Sequence, residues 1–313
     1  MKRYIIATCT LLVVGLAFAQ APRTVVELLE ETDSYRRIAH AAGVTEVPLN
    51  PQRIVSLDWQ IVDNLLAMGL PIVGGVVYGA PYLVPFEGSF VPFGFQPNIE
   101  AILGLAPDLI LGADVSGGLA GLELEQLTQI APTVVLTNHP ETFRRNWPLD
   151  IGLVVGETQV AEAQLAELEA FIAVARETLQ AAIGDETVAV LNIRAREFRL
   201  YGDEGHTAFL YDGLDLTPAR LVRELTLGRQ FEIISQELIP ELADADHLFL
   251  FIFDDADEAF TDLQQTDIWR GLRAVQRGNV YPVVQGNWLA TSLLADRQKV
   301  EDVLEALTGS RVP

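Results

Sequence analysis

The chain has 313 residues, 50% of them hydrophobic, and a formal charge of −22 from 43 acidic and 21 basic side chains. That length and apolar content suit one large domain or two smaller lobes, each with its own core. So acidic a chain does not bind nucleic acid or an anionic membrane through its general field.

Lys2 and Arg3, the apolar run from Ile5 to Phe18 and the Ala17-Phe18-Ala19 cleavage site read as a secretory signal peptide over residues 1–19. The run falls short of the ~20 apolar residues that span a bilayer. Cys9, the one cysteine, lies inside it without a Leu-Ala-Gly-Cys type of lipoprotein signal. The secreted chain is therefore expected to have no disulfide, no thiolate metal site and no cysteine nucleophile. The lysines are Lys2 and Lys299, so the other basic residues are arginines, and a bound anion must be held by local arginines.

Residues 20–50 read as a polar leader with no clear period. From Pro51 strands and helices alternate: strand at Arg53–Leu57, helix Gln60–Met68, a buried strand Ile72–Val77 containing Gly74-Gly75, helix Asn98–Leu105, strand Asp108–Leu111, helix Leu122–Ile130 and strand Thr133–Leu136. Such alternation predicts a parallel sheet covered on both faces. From Gln159 to Ile183 there is no Gly or Pro, and apolar residues recur at three- and four-residue steps. This predicts a helix about 37 Å long at 1.5 Å per residue, longer than one small lobe is deep, and suited to join two. Alternation then resumes: strand Val188–Ile193, its hairpin partner Phe198–Tyr201, helices Pro218–Leu227 and Gln236–Leu242, strand His247–Phe253, strand Val280–Val284 and a closing helix Asp296–Leu307. The expected organisation is a signal peptide at 1–19, a leader at 20–50, an N-terminal lobe at 51–157, a linking helix at 158–184 and a C-terminal lobe at 185–313. A weak repeat relates Glu100…Asp108 with its following strand to Glu237…Asp246 with its own.

Several segments carry a resemblance: Pro51-Gln-Arg-Ile-Val-Ser-Leu-Asp-Trp59, Pro97-Asn-Ile-Glu100 with Pro107-Asp108-Leu-Ile, Leu127-Thr-Gln-Ile-Ala-Pro132-Thr-Val, Arg199-Leu-Tyr-Gly202 and the run from Trp269 to Tyr281. In this order, over about residues 50–308, they resemble the periplasmic substrate-binding proteins of ABC importers for ferric siderophores, with the haem and cobalamin binders as relatives. The resemblance implies an α/β fold of two lobes with mainly parallel sheets, joined by one long helix, with the ligand in the cleft between them. It implies a non-enzymatic, monomeric periplasmic component that captures an Fe(III)–siderophore complex and delivers it to an ABC permease dimer. A binder of haem, cobalamin or another metal complex is the alternative. A secreted α/β hydrolase is the rival of another class, although the chain has no Gly-x-Ser-x-Gly elbow.

Ligands of open parallel sheets collect outside the carboxyl ends of the strands. Trp59 with Asp58, Tyr78 and His139 follow strands of the first half, and Phe93 and Phe95 lie in a loop rich in Gly and Pro. Arg194, Arg196 and Tyr201 flank the first strand of the second half, Arg229 falls in a later loop and Trp288 follows the last strand. The candidate ligand contacts are thus Trp59, Tyr78, Phe95, Arg194, Arg196, Tyr201, Arg229 and Trp288. Aromatic rings supply rigid contact area and arginines multidentate hydrogen bonds to oxygen. The chelator saturates the iron, so no protein metal ligand or cofactor is expected; the four scattered histidines fit that. Compared with the enteric hydroxamate binders, Gly94-Phe95-Gln96 replaces an arginine and Asp114-Val115-Ser116 replaces a tyrosine loop, so that chemistry does not carry over. Gly117-Gly-Leu-Ala-Gly121 lacks the lysine of a phosphate loop, and the acidic Asp254–Glu258 run lacks the glycine and glutamate of a calcium loop. The resemblance further implies that Glu100 and Glu237 dock the permease. Both precede strands, so both are expected at the end of the lobes away from the cleft.

Overall fold

The leader, which shows no clear period in the sequence, is folded. In the computed structural model, which describes residues 26–78, 90–114, 119–137, 143–253 and 255–309, it forms a three-stranded antiparallel sheet: β1 (Glu27–Glu31), β2 (Tyr35–His40) and β3 (Gly43–Pro48). Its inward residues are sparse, Ile38 and Val47 being fully buried among exposed neighbours, which is why no period shows in the sequence. The signal segment 1–19, His139, Val115 to Gly118 and Asp254 lie outside the described residues.

The N-terminal lobe follows the predicted alternation with one strand more, β6, which the sequence did not show. β4 (Ile54–Ser56), α1 (Trp59–Ala67), β5 (Ile72–Val76), β6 (Val91–Phe93), α2 (Ile99–Gly104), β7 (Leu109–Asp114), α3 (Leu124–Thr128) and β8 (Thr133–Thr137) make a five-stranded parallel sheet in the order β6-β5-β4-β7-β8. α1 begins where the Asp58 carboxylate accepts from the backbone N–H groups of Gln60 and Ile61, and it buries Ile61, Val62 and Leu65 on the sheet. The two glycines of β5 allow that packing. A Cβ at Gly75 would lie 2.5 Å from Val62 Cγ2, and one at Gly74 2.5 Å from Leu105 Cδ1 on the other face. The leader sheet abuts the outer strand, with Ala41 N–H donating to the Val135 carbonyl and Thr45 Oγ1 to that of Thr133. α4 (Phe143–Val155), absent from the sequence reading because Pro148 interrupts its pattern, closes the lobe.

α5 (Thr158–Ile183) is the expected long helix, 26 residues. Ala161, Leu165, Leu168, Ile172, Ala175 and Leu179 are buried along one face at alternating four- and three-residue steps. Its first half packs on α4, where Ala161 meets Gly152. Farther along, Arg176 Nε and Nη2 donate to the Gly213 carbonyl of the other lobe.

The C-terminal lobe contains β9 (Thr187–Ile193), β10 (Phe198–Tyr201), β11 (Thr217–Pro218), α6 (Arg220–Thr226), β12 (Phe231–Ile234), a 3-10 turn over Gln236–Leu242, β13 (His247–Ile252), α7 (Asp257–Gln264), α8 (Asp267–Arg270), α9 (Arg273–Arg277), β14 (Val280–Pro282), α10 (Gln285–Trp288) and α11 (Leu293–Thr308). The sheet runs β12-β10-β9-β13-β14, with β11 beside β9. It is mixed, because β10 is antiparallel to both β9 and β12.

The weak repeat has a structural counterpart. Asp108, just before β7, accepts from Gln52 and Arg53 N–H ahead of β4, and Asp246, just before β13, accepts from Thr187 N–H at the start of β9. Each aspartate ties together the amino ends of the two strands at the centre of its sheet. Two α/β lobes joined by α5 are the architecture expected from the sequence.

Candidate functional site

The carboxyl ends of the two sheets approach one another. Thr291 N–H donates to Gln60 Oε1 at 2.6 Å, Ser292 Oγ to Asp63 Oδ2 at 2.9 Å and Leu293 N–H to Asn64 Oδ1 at 3.0 Å. Gln60, Asp63 and Asn64 share one face of α1, and the loop after α10 reads that face. All three are buried, so the seam is a set of satisfied polar groups inside the molecule. Behind it Lys299 is wholly buried. Its ammonium pairs with Asp296 at 2.7 Å and donates to the carbonyls of Ala290 and His206. Burial, helped by that ammonium, pushes His206 down to about 4, so it is neutral at pH 7.

One wall of the cleft is aromatic. Trp59 follows β4, Tyr78 follows β5 and Phe95 follows β6, and the parallel sheet brings the three together. Trp59 and Tyr78 meet edge-on with centroids 5.4 Å apart, and Tyr78 and Phe95 lie 4.9 Å apart. Trp59 and Tyr78 are half-buried and Phe95 is 56% exposed. Phe93, considered with Phe95, is a core residue of β6. Beneath Trp59, burial holds the Asp58 carboxyl up at about 6 although two backbone N–H groups donate to it. Gln285, which the sequence reading passed over, donates from Nε2 to the Tyr78 hydroxyl and so joins the lobes across the cleft.

The other wall is the turn between β9 and β10, closed by Arg194 N–H donating to the Glu197 carbonyl. Arg194 lies over the Phe253 ring at 3.8 Å and donates from Nε to Asn192 Oδ1. Arg196 is exposed, with no side-chain partner among the described residues. Arg199, also missed by the sequence reading, lies over Phe231 at 4.5 Å and donates to Glu197 Oε1 at 2.6 Å.

Three candidates are elsewhere. Tyr201 is 2% exposed, packed on Phe251 and Phe231. β10 runs antiparallel, so its last residue pairs with Val190 in mid-sheet instead of reaching the cleft. Arg229 precedes β12, which runs in the same sense as β9 with β10 between them, so it sits toward the amino ends, exposed and paired with Glu232 at 2.5 Å. Trp288 is fully buried. α10 turns its last residue inward, where the indole stacks on Phe249 at 5.1 Å and donates from Nε1 to Asp302. A separate cavity of about 280 Å³ lies along the outer edge of β14 against α11, lined by Tyr281, Val283, Val284 and Glu305 among others and by none of the cleft residues.

The placement of Glu100 and Glu237 also needs correction. Each follows an outer strand of its sheet, β6 or β12, and lies in the first turn of the helical segment after it. A helix that follows a parallel strand starts at that strand's carboxyl end. Both exposed glutamates therefore stand at the cleft end of their lobes, one per lobe.

Among the described residues no cluster of His, Cys, Asp or Glu could hold a metal ion, and no helix is long and apolar enough to cross a membrane. Comparison with known proteins gives concordant matches. A probable siderophore-binding lipoprotein of Bacillus subtilis, YfiY, is 30% identical over 276 residues, covering 81% of each chain. The crystal structure of a periplasmic binding protein component of a ferrichrome ABC transporter from Bacillus subtilis superposes with a TM-score of 0.77 at 23% identity, covering 86% of this chain and 99% of that one. Staphylococcus aureus SirA, solved with staphyloferrin B, gives 0.70 at 25% identity, covering 87% and 98%. The family model described as periplasmic binding protein matches residues 54–283, and the hydrolase reading falls away: this chain belongs to the periplasmic binding protein family.

Proposed function

We propose that this protein is the extracytoplasmic solute-binding component of an ABC importer, and that it captures a ferric siderophore between its lobes and hands it to a membrane permease. The observation that carries the reading is the pairing of two unlike walls at one set of strand ends: the Trp59–Tyr78–Phe95 run and the arginine turn at Arg194 and Arg196. A chelate with an apolar or aromatic shell and oxygen donors around Fe(III) matches both, the rings by contact area and the guanidiniums by hydrogen bonds. The relatives, a probable siderophore-binding lipoprotein and a component of a ferrichrome transporter, point the same way. Residues 1–19 direct secretion and are removed. Glu100 and Glu237 present one carboxylate per lobe beside the cleft mouth, which suits a two-fold permease dimer that receives the ligand from that mouth.

Thermal unfolding with a panel of ferrichrome, a ferric tris-catecholate, ferric citrate, haem and cobalamin tests this. At 100 times its dissociation constant a true ligand stabilises by about 2.7 kcal/mol. Stabilisation by at least one ferric siderophore, quenching of tryptophan fluorescence and no turnover are expected. Haem or cobalamin alone as ligand would move the substrate class, and no stabilisation by any of the five would overturn the reading.

A further inference from the structure

We propose that Glu197 is a specificity-determining residue: its carboxylate is the internal counter-ion of the arginine turn and sets how much negative charge a bound chelate can carry. The inference rests on the ligand reading above and concerns the same site. Glu197 stands in the turn with Arg194 and Arg196 and two residues before Arg199 of β10, in a chain whose overall charge is −22. One of its oxygens, Oε1, lies 2.6 Å from Arg199 Nε and 3.8 Å from Arg194 Nε. A carboxylate oxygen of the protein thus takes up positive charge that an anionic ligand would otherwise meet, and leaves Arg196 as the guanidinium of the turn without a partner among the described residues.

Arg194 does not depend on Glu197 for its position. Arg194 is held by the Phe253 ring and by Asn192, which is itself buried and donates to the Phe251 carbonyl. Arg199 lies over the Phe231 ring and donates to Glu197 Oε1, a bond that the amide oxygen of a glutamine at 197 accepts in its place. The turn is closed by backbone, Arg194 N–H to the Glu197 carbonyl, which any side chain at 197 preserves. Neutralising Glu197 therefore changes the charge of this wall and leaves its shape. An oxyanion approaching Arg194 and Arg199 meets a like charge already in place, and that repulsion grows with the charge of the chelate. A neutral chelate feels little of it.

The test is isothermal titration of the wild type, Glu197→Gln and Glu197→Asp with a trianionic ferric tris-catecholate and with the neutral trihydroxamate ferrichrome, at low and high salt. Thermal midpoints report folding. Glu197→Gln is expected to bind the tris-catecholate about tenfold more tightly at low salt, with the gain shrinking at high salt as the charges are screened. Ferrichrome affinity should change less than twofold, and Glu197→Asp should keep the wild-type ratio of the two affinities. An equal change for both chelates, weaker tris-catecholate binding, or a Gln variant that still ignores the tris-catecholate would overturn the role of Glu197 while leaving the function intact. If neither wild type nor variants bind either chelate or any other ferric siderophore of the panel, the ligand reading fails and this inference fails with it.

Discussion

In the N-terminal lobe all five strands run the same way, so β4, β5 and β6 each deliver the residue after them to the cleft, and Trp59, Tyr78 and Phe95 meet there. In the C-terminal lobe the second strand turns back. The β9–β10 turn, with Arg194, Arg196 and Glu197, stands at the cleft, while Tyr201 and Arg229 are carried toward the other end. The parallel lobe therefore makes a wall from separate loops, each contributing one ring. The mixed lobe makes it from one tight turn dense in charge. The difference teaches that rank after a strand is a guide to a binding site only while the strand's direction is known.

The comparison can be broken most severely in the hub of the C-terminal lobe. Lys299→Ala leaves Asp296 buried without its cation and is expected to cost about 3–5 kcal/mol in urea unfolding. It should loosen the seam at Gln60, Asp63 and Asn64, because the Lys299 ammonium holds the Ala290 carbonyl beside it. A loss below ~1 kcal/mol would show that the pair does not organise that seam. Trp288→Ala should also cost about 3–5 kcal/mol, as a core tryptophan does. If it instead abolished ligand binding at unchanged stability, Trp288 would belong to the cleft wall after all.

Asp58 sharpens the contrast from the aromatic side. Its folded-state value of about 6 exceeds the ordinary 3.8, so the folded chain keeps this proton longer than the unfolded chain. Its contribution to stability is thus fully present below about pH 4 and is lost as pH rises through 6. Asparagine caps a helix as well as aspartate. Asp58→Asn should therefore flatten this part of the pH profile and raise stability at pH 7 by up to about 3 kcal/mol, with little change at pH 4. A profile unchanged in slope would contradict it.

Smaller effects follow for the exposed residues. Trp59→Ala should weaken chelate binding about tenfold, an aromatic contact's worth, and alter stability far less than Trp288→Ala does. Replacing Glu100 and Glu237 together by alanine should change stability by no more than ~1 kcal/mol, the size of a helix-start dipole contact, and spare ligand affinity while reducing uptake in cells. Normal uptake by that double variant would leave both as helix-start carboxylates.

The long helix was legible because α5 shows its buried face at regular steps over 26 residues, uninterrupted by Gly or Pro. Trp59 and Tyr78 were legible in the aromatic wall because an all-parallel sheet makes position after a strand equivalent to position at the cleft, whereas Phe95 reaches it through β6, a strand too short to read from the sequence. The leader sheet was not, since two buried residues, Ile38 and Val47, set no period. Nor was α4, where Pro148 breaks the pattern that tertiary packing restores. Gln285 carried no local signal and matters through Tyr78, a partner that the fold supplies, while Arg199, seen only as part of the Arg199-Leu-Tyr-Gly202 segment, matters through Glu197.

By itself the sequence determined the alternation of strands and helices, the strut and the rings and guanidiniums available for a ligand, because periodicity, caps and side-chain chemistry are properties of neighbours along the chain. Only the tertiary structure decided which of those side chains reach the cleft. The register that pairs Tyr201 with Val190 in mid-sheet, the inward turn of α10 onto Phe249 and the start of α2 at the cleft end are fixed by strand pairing and by packing between residues far apart in the chain, and on these depend the burial of Tyr201 and Trp288 and the position of Glu100.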